Sequence, residues 1–241
     1  MIINPITETI SIGELSLNVQ IERTKRKRTI SLQVKDNKLT IKAPKAVSKK
    51  KLDELIQRKK TWIRERAIIN FEEQALRNRE FIDNEKFYFR GKAYRLSLIE
   101  GQEETVKIAE GLLLVTFVHY KPLDKKVIKK LVEDWYLSES IKILKTRTNE
   151  LAKKMKVQPC GMTIKNYISK WGSCTAHNKI SYNWRIIMAP DYIIDYLIIH
   201  ELSHIIQPNH SQDFWHHVAK YCDSFKTKRK WLRENGHRLV L

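Results

Sequence analysis

Residues 200–210 read His-Glu-Leu-Ser-His-Ile-Ile-Gln-Pro-Asn-His. The apolar run from Pro190 or Asp191 to about Ile206 predicts a helix, and Pro208 breaks it. Positions four apart on a helix share a face, so the imidazoles of His200 and His204 can converge on one zinc ion. Glu201 projects about 100° further round, where it can reach a water on that metal without ligating it. Pro208 and Asn209 supply a chain reversal, and His210 follows as the third ligand. Five of the eight histidines fall between 200 and 217. His216 and His217 lie beyond the turn in the next helix and read as surface or supporting positions. They and Asp213 are the fallback if His210 does not ligate. Buried imidazoles beside a buried carboxylate are costly without a metal partner. Three nitrogen ligands with no evident fourth describe an open, catalytic zinc, one per chain.

Outward from this motif, Ser211 is an N-cap candidate for a helix through Tyr221. Upstream, Lys179–Met188 alternates as a strand, with Ile180, Tyr182, Trp184, Ile186 and Met188 on one face. Met162–Ile168 reads as another strand, and Lys170-Trp171-Gly172-Ser173-Cys174 lies between the two. The run His200–His210, followed by Ser211 and Phe214-Trp215, resembles the YgjP-like metal-dependent hydrolases, which are zincin metallopeptidases similar to SprT-like proteins. The Lys170–Cys174 block, Asn183-Trp184-Arg185 and Ala189-Pro190 look like further blocks of that family. The resemblance is strong over about 160–236. It implies His200, His204 and His210 as metal ligands and Glu201 as general base. Lys170 departs from it, standing where an arginine is expected before Trp-Gly. The spacing also equals that of metzincins, but Gln207 replaces their glycine and no methionine follows Met188, so a Met-turn is impossible.

Toward the N-terminus, residues 10–43 are strand-like, with 30–34 and 38–43 flanking an Asp36-Asn37 turn. Ser48 then caps a helix to about Gln74, with Leu52, Leu55, Ile56, Lys59, Ile63 and Ala67 at helical spacing. Strands follow over 87–101 and 106–117, with turns at Gly91, Gly101 and Gly111. A helix starting at Pro122 runs to about Met155, with Val127, Leu131, Trp135, Ile141 and Leu144 as its apolar stripe. No repeat of solenoid period is present. This order predicts an α+β fold: a zincin-like metallopeptidase core carrying the HExxH helix, preceded by a basic, β-rich N-terminal part. The expected parts are 1–120 and 121–241, packed as one unit.

The 241 residues include 46 Lys and Arg against 27 Asp and Glu, a net charge of +19. The segment Arg23–Lys60 holds 15 basic and 3 acidic side chains, and its Arg23, Lys25, Arg26, Lys27 and Arg28 are candidates for contact with nucleic acid or nucleotide. Cys160, Cys174 and Cys222 have no C-x-x-C spacing, which excludes a disulfide framework and a thiolate zinc site. Cys174 with His177 makes a poor nucleophile pair, since no third group orients it. Residues 1–13 lack a signal-peptide pattern and no apolar run spans a bilayer, so no membrane partner and a cytoplasmic location are expected. The substrate-binding residues stay unknown. The function expected is zinc-dependent hydrolysis by a metal-activated water, on a peptide or protein. The alternatives are a nucleoside triphosphate pyrophosphatase, disfavoured by the lack of a Gly-rich phosphate loop, and a nucleic-acid-associated protease.

Overall fold

In the computed structural model, which describes residues 7–12, 14–118 and 124–241, the chain divides into two compact units, Met1–Asn78 and Arg79–Leu241. The fold is mixed α+β, with three sheets and six α-helices among the described residues.

The first unit contains β1 (Thr7–Ile12), β2 (Leu15–Thr24), β3 (Ser31–Lys35) and β4 (Lys38–Pro44), in spatial order β1-β2-β4-β3. β2 and β4 pair in parallel, and the outer pairs are antiparallel. Asp36 and Asn37 both take positive φ, 49° and 58°, the two-residue turn that suits Asx side chains and matches strand twist. Two helices follow, α1 (Lys49–Arg58) and α2 (Lys60–Arg77). Ser48 caps α1, its hydroxyl accepting from the Lys51 amide at 3.4 Å. The continuous helix expected to Gln74 is interrupted at Lys59 (φ −100°, ψ 10°) and extends to Arg77; nothing in the sequence at Lys59 explains the break. Leu17, Val19, Leu39 and Ile41 of the sheet meet Leu52, Ile56, Ile63 and Ala67 of the helices in one core.

The second unit opens with β5 (Lys86–Phe89), β6 (Lys92–Glu100), β7 (Thr105–Ala109) and β8 (Leu112–Phe117). Their order, β5-β6-β8-β7, and their pair directions repeat those of the first sheet. Next comes α3 (Lys125–Met155), capped by the Asp124 carboxylate on the Lys126 amide at 2.8 Å. The expected start, Pro122, lies outside the described residues. The boundary expected at 120/121 is not where the contacts thin out. Phe87, Leu96, Leu113 and Val115 share one core with Ile128, Val132 and Tyr136 of α3, so this sheet belongs with the C-terminal part of the chain.

The buried face of α3 is Ile128, Val132, Tyr136, Ser140, Leu144 and Thr148. Of the expected stripe only Leu144 is fully buried, while Val127, Leu131 and Trp135 flank that face and Ile141 is exposed. Hydropathy misplaced the stripe because three polar side chains lie on it with their hydroxyls satisfied. Tyr136 donates to the Tyr88 carbonyl, Ser140 to that of Leu137, and Thr148 to the Tyr182 hydroxyl.

A three-stranded sheet follows: β9 (Gly161–Lys165), β10 (Gly172–Cys174) and β11 (Lys179–Asn183), in order β10-β11-β9, with β9 parallel and β10 antiparallel to the centre. The strand expected over 179–188 stops at Asn183, because its carboxamide oxygen accepts from the Arg185 amide and starts a 3₁₀ turn over Trp184–Met188. Then come α4 (Asp191–Ser203), α5 (Gln212–Tyr221) and α6 (Phe225–Asn235). α6 lacks a side-chain cap and was not expected from the sequence; Phe225 and Leu232 at i, i+7 were its signal. No described helix is long and apolar enough to cross a membrane.

Candidate metal centre

α4 is apolar nearly all round, and Ile193, Ile194, Leu197, Ile198, Ile199 and Leu202 are all buried. A helix of that composition belongs inside a domain rather than on its surface, so polar groups carried on it are held in fixed places. Its N-terminus is clamped by the β5–β6 hairpin. The amides of Arg90 and Gly91 donate to the carbonyls of Ile187 and Met188 at 2.7 and 3.1 Å. The Arg90 guanidinium forks onto both carboxylate oxygens of Asp191, each at 2.7 Å. Gly91 has φ +77°, and a Cβ there would fall 2.8 Å from the Pro190 ring, so only glycine permits this approach. Midway along the helix, Arg147 of α3 bonds Asp195, Nε to Oδ1 at 2.9 Å.

At the other end, α4 delivers His200 and Glu201 in its last turn and His204 at its C-cap. The chain reverses through Pro208 and Asn209, whose carboxamide oxygen accepts from the Ser211 amide at 3.2 Å. Ser211 then caps α5 as its sequence position predicts, accepting from the Phe214 amide at 3.3 Å. Fixed between these two turns, His210 returns to the end of α4. One potential ligand atom from each of His200, His204 and His210 lies within 4.8 Å of the other two. The Nε2 atoms of His200 and His210 are 3.1 Å apart, close to the roughly 3.3 Å that two nitrogens on one tetrahedral zinc would show.

The donor chemistry fits a metal ion as well as the spacing does. His204 donates from Nδ1 to the Gln207 carbonyl at 3.1 Å, which leaves a lone pair on Nε2, and such a bond is the usual brace of a metal-ligating histidine. Burial, and then the neighbouring His204 and His210, lower the pKa of His200 to about 3, so its ring is neutral. The same kinds of cause lower that of His210. Neutral imidazole is the ligating form. His200 Nδ1 is buried with no hydrogen-bond partner among the described residues; its ring is oriented by packing instead. Phe214 meets it edge-on at 4.9 Å and stacks on His204 at 4.5 Å, while Trp215 stacks on His210 at 5.7 Å. These aromatic walls were not expected as site residues, although Phe214-Trp215 stands only four positions past His210.

Glu201 is 4% exposed. Desolvation pushes its carboxyl up to about 8, and Lys170 pulls the other way. The backbone of β10 lies directly on it: a Cβ at Gly172 would stand 2.5 Å from Oε1 and 2.8 Å from Cδ. A side chain at position 172 would therefore force the Glu201 side chain to shift. β10 is an edge of its sheet, with no strand on its outer side among the described residues.

The other candidates lie elsewhere. His216 is exposed, and His217 donates through Nδ1 to the Ser203 hydroxyl at 3.2 Å, which in turn bonds the Ile199 carbonyl. Asp213 is exposed, and neither it nor His216 or His217 joins the histidine cluster. Burial, and then Glu201, raise the pKa of the Cys174 thiol, the reverse of what a nucleophile needs. In the basic segment, the Arg23 guanidinium is engaged by the carbonyls of Pro44 and Val47. No contact in this segment adds support for a nucleic-acid partner.

Comparison with known proteins places these features in a family. A family model described as YgjP-like, metallopeptidase domain, matches residues 28–235. No curated protein matches the chain. Among solved structures, the metallopeptidase zymogen abylysin of Pyrococcus abyssi is similar at 17% identity, with a TM-score of 0.34 over 37% of this chain and 93% of that one. The zymogen jannalysin of Methanocaldococcus jannaschii is similar at 22% identity, with a TM-score of 0.32 over 36% of this chain and 93% of that one.

Proposed function

Starting from the fact that the chain belongs to the YgjP-like metallopeptidase-domain family, we propose that it is a zinc-dependent peptidase whose zinc is held by His200, His204 and His210 and whose general base is Glu201. The observation that carries this reading is the convergence of three histidine donors beside a buried carboxylate that is not one of them. Bound there, zinc supplies Lewis acidity and lowers the pKa of a coordinated water to ~7.

The chain's own residues do the rest. Glu201 accepts the proton of the attacking water at a carboxylate oxygen and returns it to the leaving amine. Burial raises its proton affinity, a neighbouring dication lowers it, and the opposition suits a group that must both take and give a proton near neutrality. The Gln207 carbonyl holds His204 in one tautomer, and Phe214 and Trp215 pack against the His204 and His210 rings and fix their planes. An extended polypeptide adds to the outer edge of β10, which brings its backbone past Gly172 and hence past Glu201.

The test uses the zinc-loaded protein with an unfolded polypeptide and, separately, with a nucleoside triphosphate. The polypeptide is expected to be cut and the triphosphate to survive. Glu201→Gln should lower turnover by about two to four orders of magnitude with zinc content unchanged. Consumption of the triphosphate alone would replace the peptidase reading with the pyrophosphatase one. Loss of zinc from the Glu201 variant would make that residue a ligand or a brace.

A further inference from the structure

In unit two, Arg90 pairs with Asp191, and Arg147 with Asp195 and Glu150. Two cations beside the histidine cluster are treated differently. Arg229 of α6 lies with its guanidinium 4.6 Å over the Trp215 ring, whose other stacking partners are His210 at 5.7 Å and Phe225 at 5.3 Å. Lys170, in the loop before β10, lies with its ammonium 4.5 Å over the Tyr167 ring. Tyr167 in turn shares a hydrogen bond of 3.1 Å with Ser173, next to the glycine that touches Glu201. Both side chains belong to exposed residues, and neither forms an ion pair with a carboxylate among the described residues. Aromatic faces hold each cation in place while leaving its hydrogen-bond donors free.

An exposed cation that rests on an aromatic face and forms no ion pair keeps its donors available, and two of them flanking a site that handles polypeptide can meet the substrate. We infer that Lys170 and Arg229 select carboxylates, so that the preferred substrates are polypeptides with an acidic side chain, or the chain-terminal carboxylate, within a residue or two of the bond that is cut. This rests on the proposed peptidase activity. The planar fork of Arg229 suits two-point capture of a carboxylate, and Lys170 acts as a point charge beside the edge strand. The net charge of +19 draws acidic chains toward the molecule in general; these two residues make the preference local.

The experiment uses the full chain loaded with zinc and matched peptides that differ only beside the cleaved bond: acidic, neutral or basic, all with amidated ends. A neutral peptide with a free terminal carboxylate separates the two sources of negative charge. The acidic peptides are expected to show kcat/KM on the order of tenfold above the basic ones at low salt, an advantage that shrinks toward about 1 M salt. Binding of labelled peptides to the Glu201→Gln variant, followed by anisotropy, should show the same ranking without turnover. Lys170→Glu and Arg229→Glu should each lower the acidic peptide and raise the basic one, a crossed response that mere damage to the fold would not produce. Equal cleavage of all peptides would overturn the inference and leave the peptidase reading standing. No cleavage of any peptide by zinc-loaded protein would overturn both.

Discussion

Gly172 makes room for Glu201. Its missing Cβ is the space into which the carboxylate fits, at 2.5 Å from Oε1. Gly172→Ala should therefore displace the carboxylate and lower kcat by up to about a hundredfold, the cost of moving a catalytic group by an ångström. Zinc content measured by elemental analysis should not change, since the histidines are untouched. His210→Ala should do the opposite. With two imidazoles left, zinc should be stripped by a competing chelator at concentrations that leave the parent protein loaded; equal retention would move the third ligand to another residue. The two residues also mark the limit of what the sequence disclosed. His200, Glu201, His204 and His210 were legible because helical spacing and one turn place them without knowledge of the rest of the fold. Gly172, Lys170 and Arg229 reach the same centre from a sheet edge, a loop and a later helix, and no local periodicity encodes that meeting.

Among the elements, α3 shows how a hydropathy stripe can be shifted by a residue. Tyr136, Ser140 and Thr148 are buried and polar, and each spends its hydroxyl on a partner inside the protein. By contrast the turns at Asp36-Asn37 and Gly91, and the caps at Ser48 and Ser211, were read correctly, since each depends on two to four adjacent residues. The buried tyrosines carry a consequence for alkaline stability. Desolvation raises the phenols of Tyr136 and Tyr182 above the ordinary value of about 10. Below that pH, folded and unfolded chains are equally protonated at these groups and the shift costs nothing. Above it the unfolded chain gives up protons that the folded one retains, so stability falls as pH rises. Tyr136→Phe should lower the neutral-pH stability by ~1 kcal/mol through its lost bond to the Tyr88 carbonyl. It should also flatten the fall between pH ~9 and ~11 in urea titrations; an unchanged slope would show that Tyr136 ionises freely in the folded state.

At the scale of the molecule, the division at residue 78/79 separates two hydrophobic cores, one built from Leu17 to Ala67 and the other from Phe81 to Leu241. A fragment spanning 79–241 should consequently fold and hold zinc with the stoichiometry of the whole chain, as read by circular dichroism and elemental analysis; a fragment that collapses into an unfolded, zinc-free chain would show that the second core needs the first. The α+β character and the strand content were evident from alternation and turn residues. The boundary was not, because the second four-stranded sheet repeats the wiring of the first, and only its burial against Ile128, Val132 and Tyr136 assigns it to the later unit. The order of these pieces along the chain governs biosynthesis. The first core needs nothing beyond Ala67, whereas the histidines stand at 200, 204 and 210 and Arg229 comes later still. At elongation rates of about 5–20 residues per second, the ribosome works for roughly ten to thirty seconds after finishing the first unit before it completes the second. Throughout that interval the growing polypeptide lacks the histidine cluster, so whatever hydrolysis the assembled centre performs cannot begin until the second unit is made.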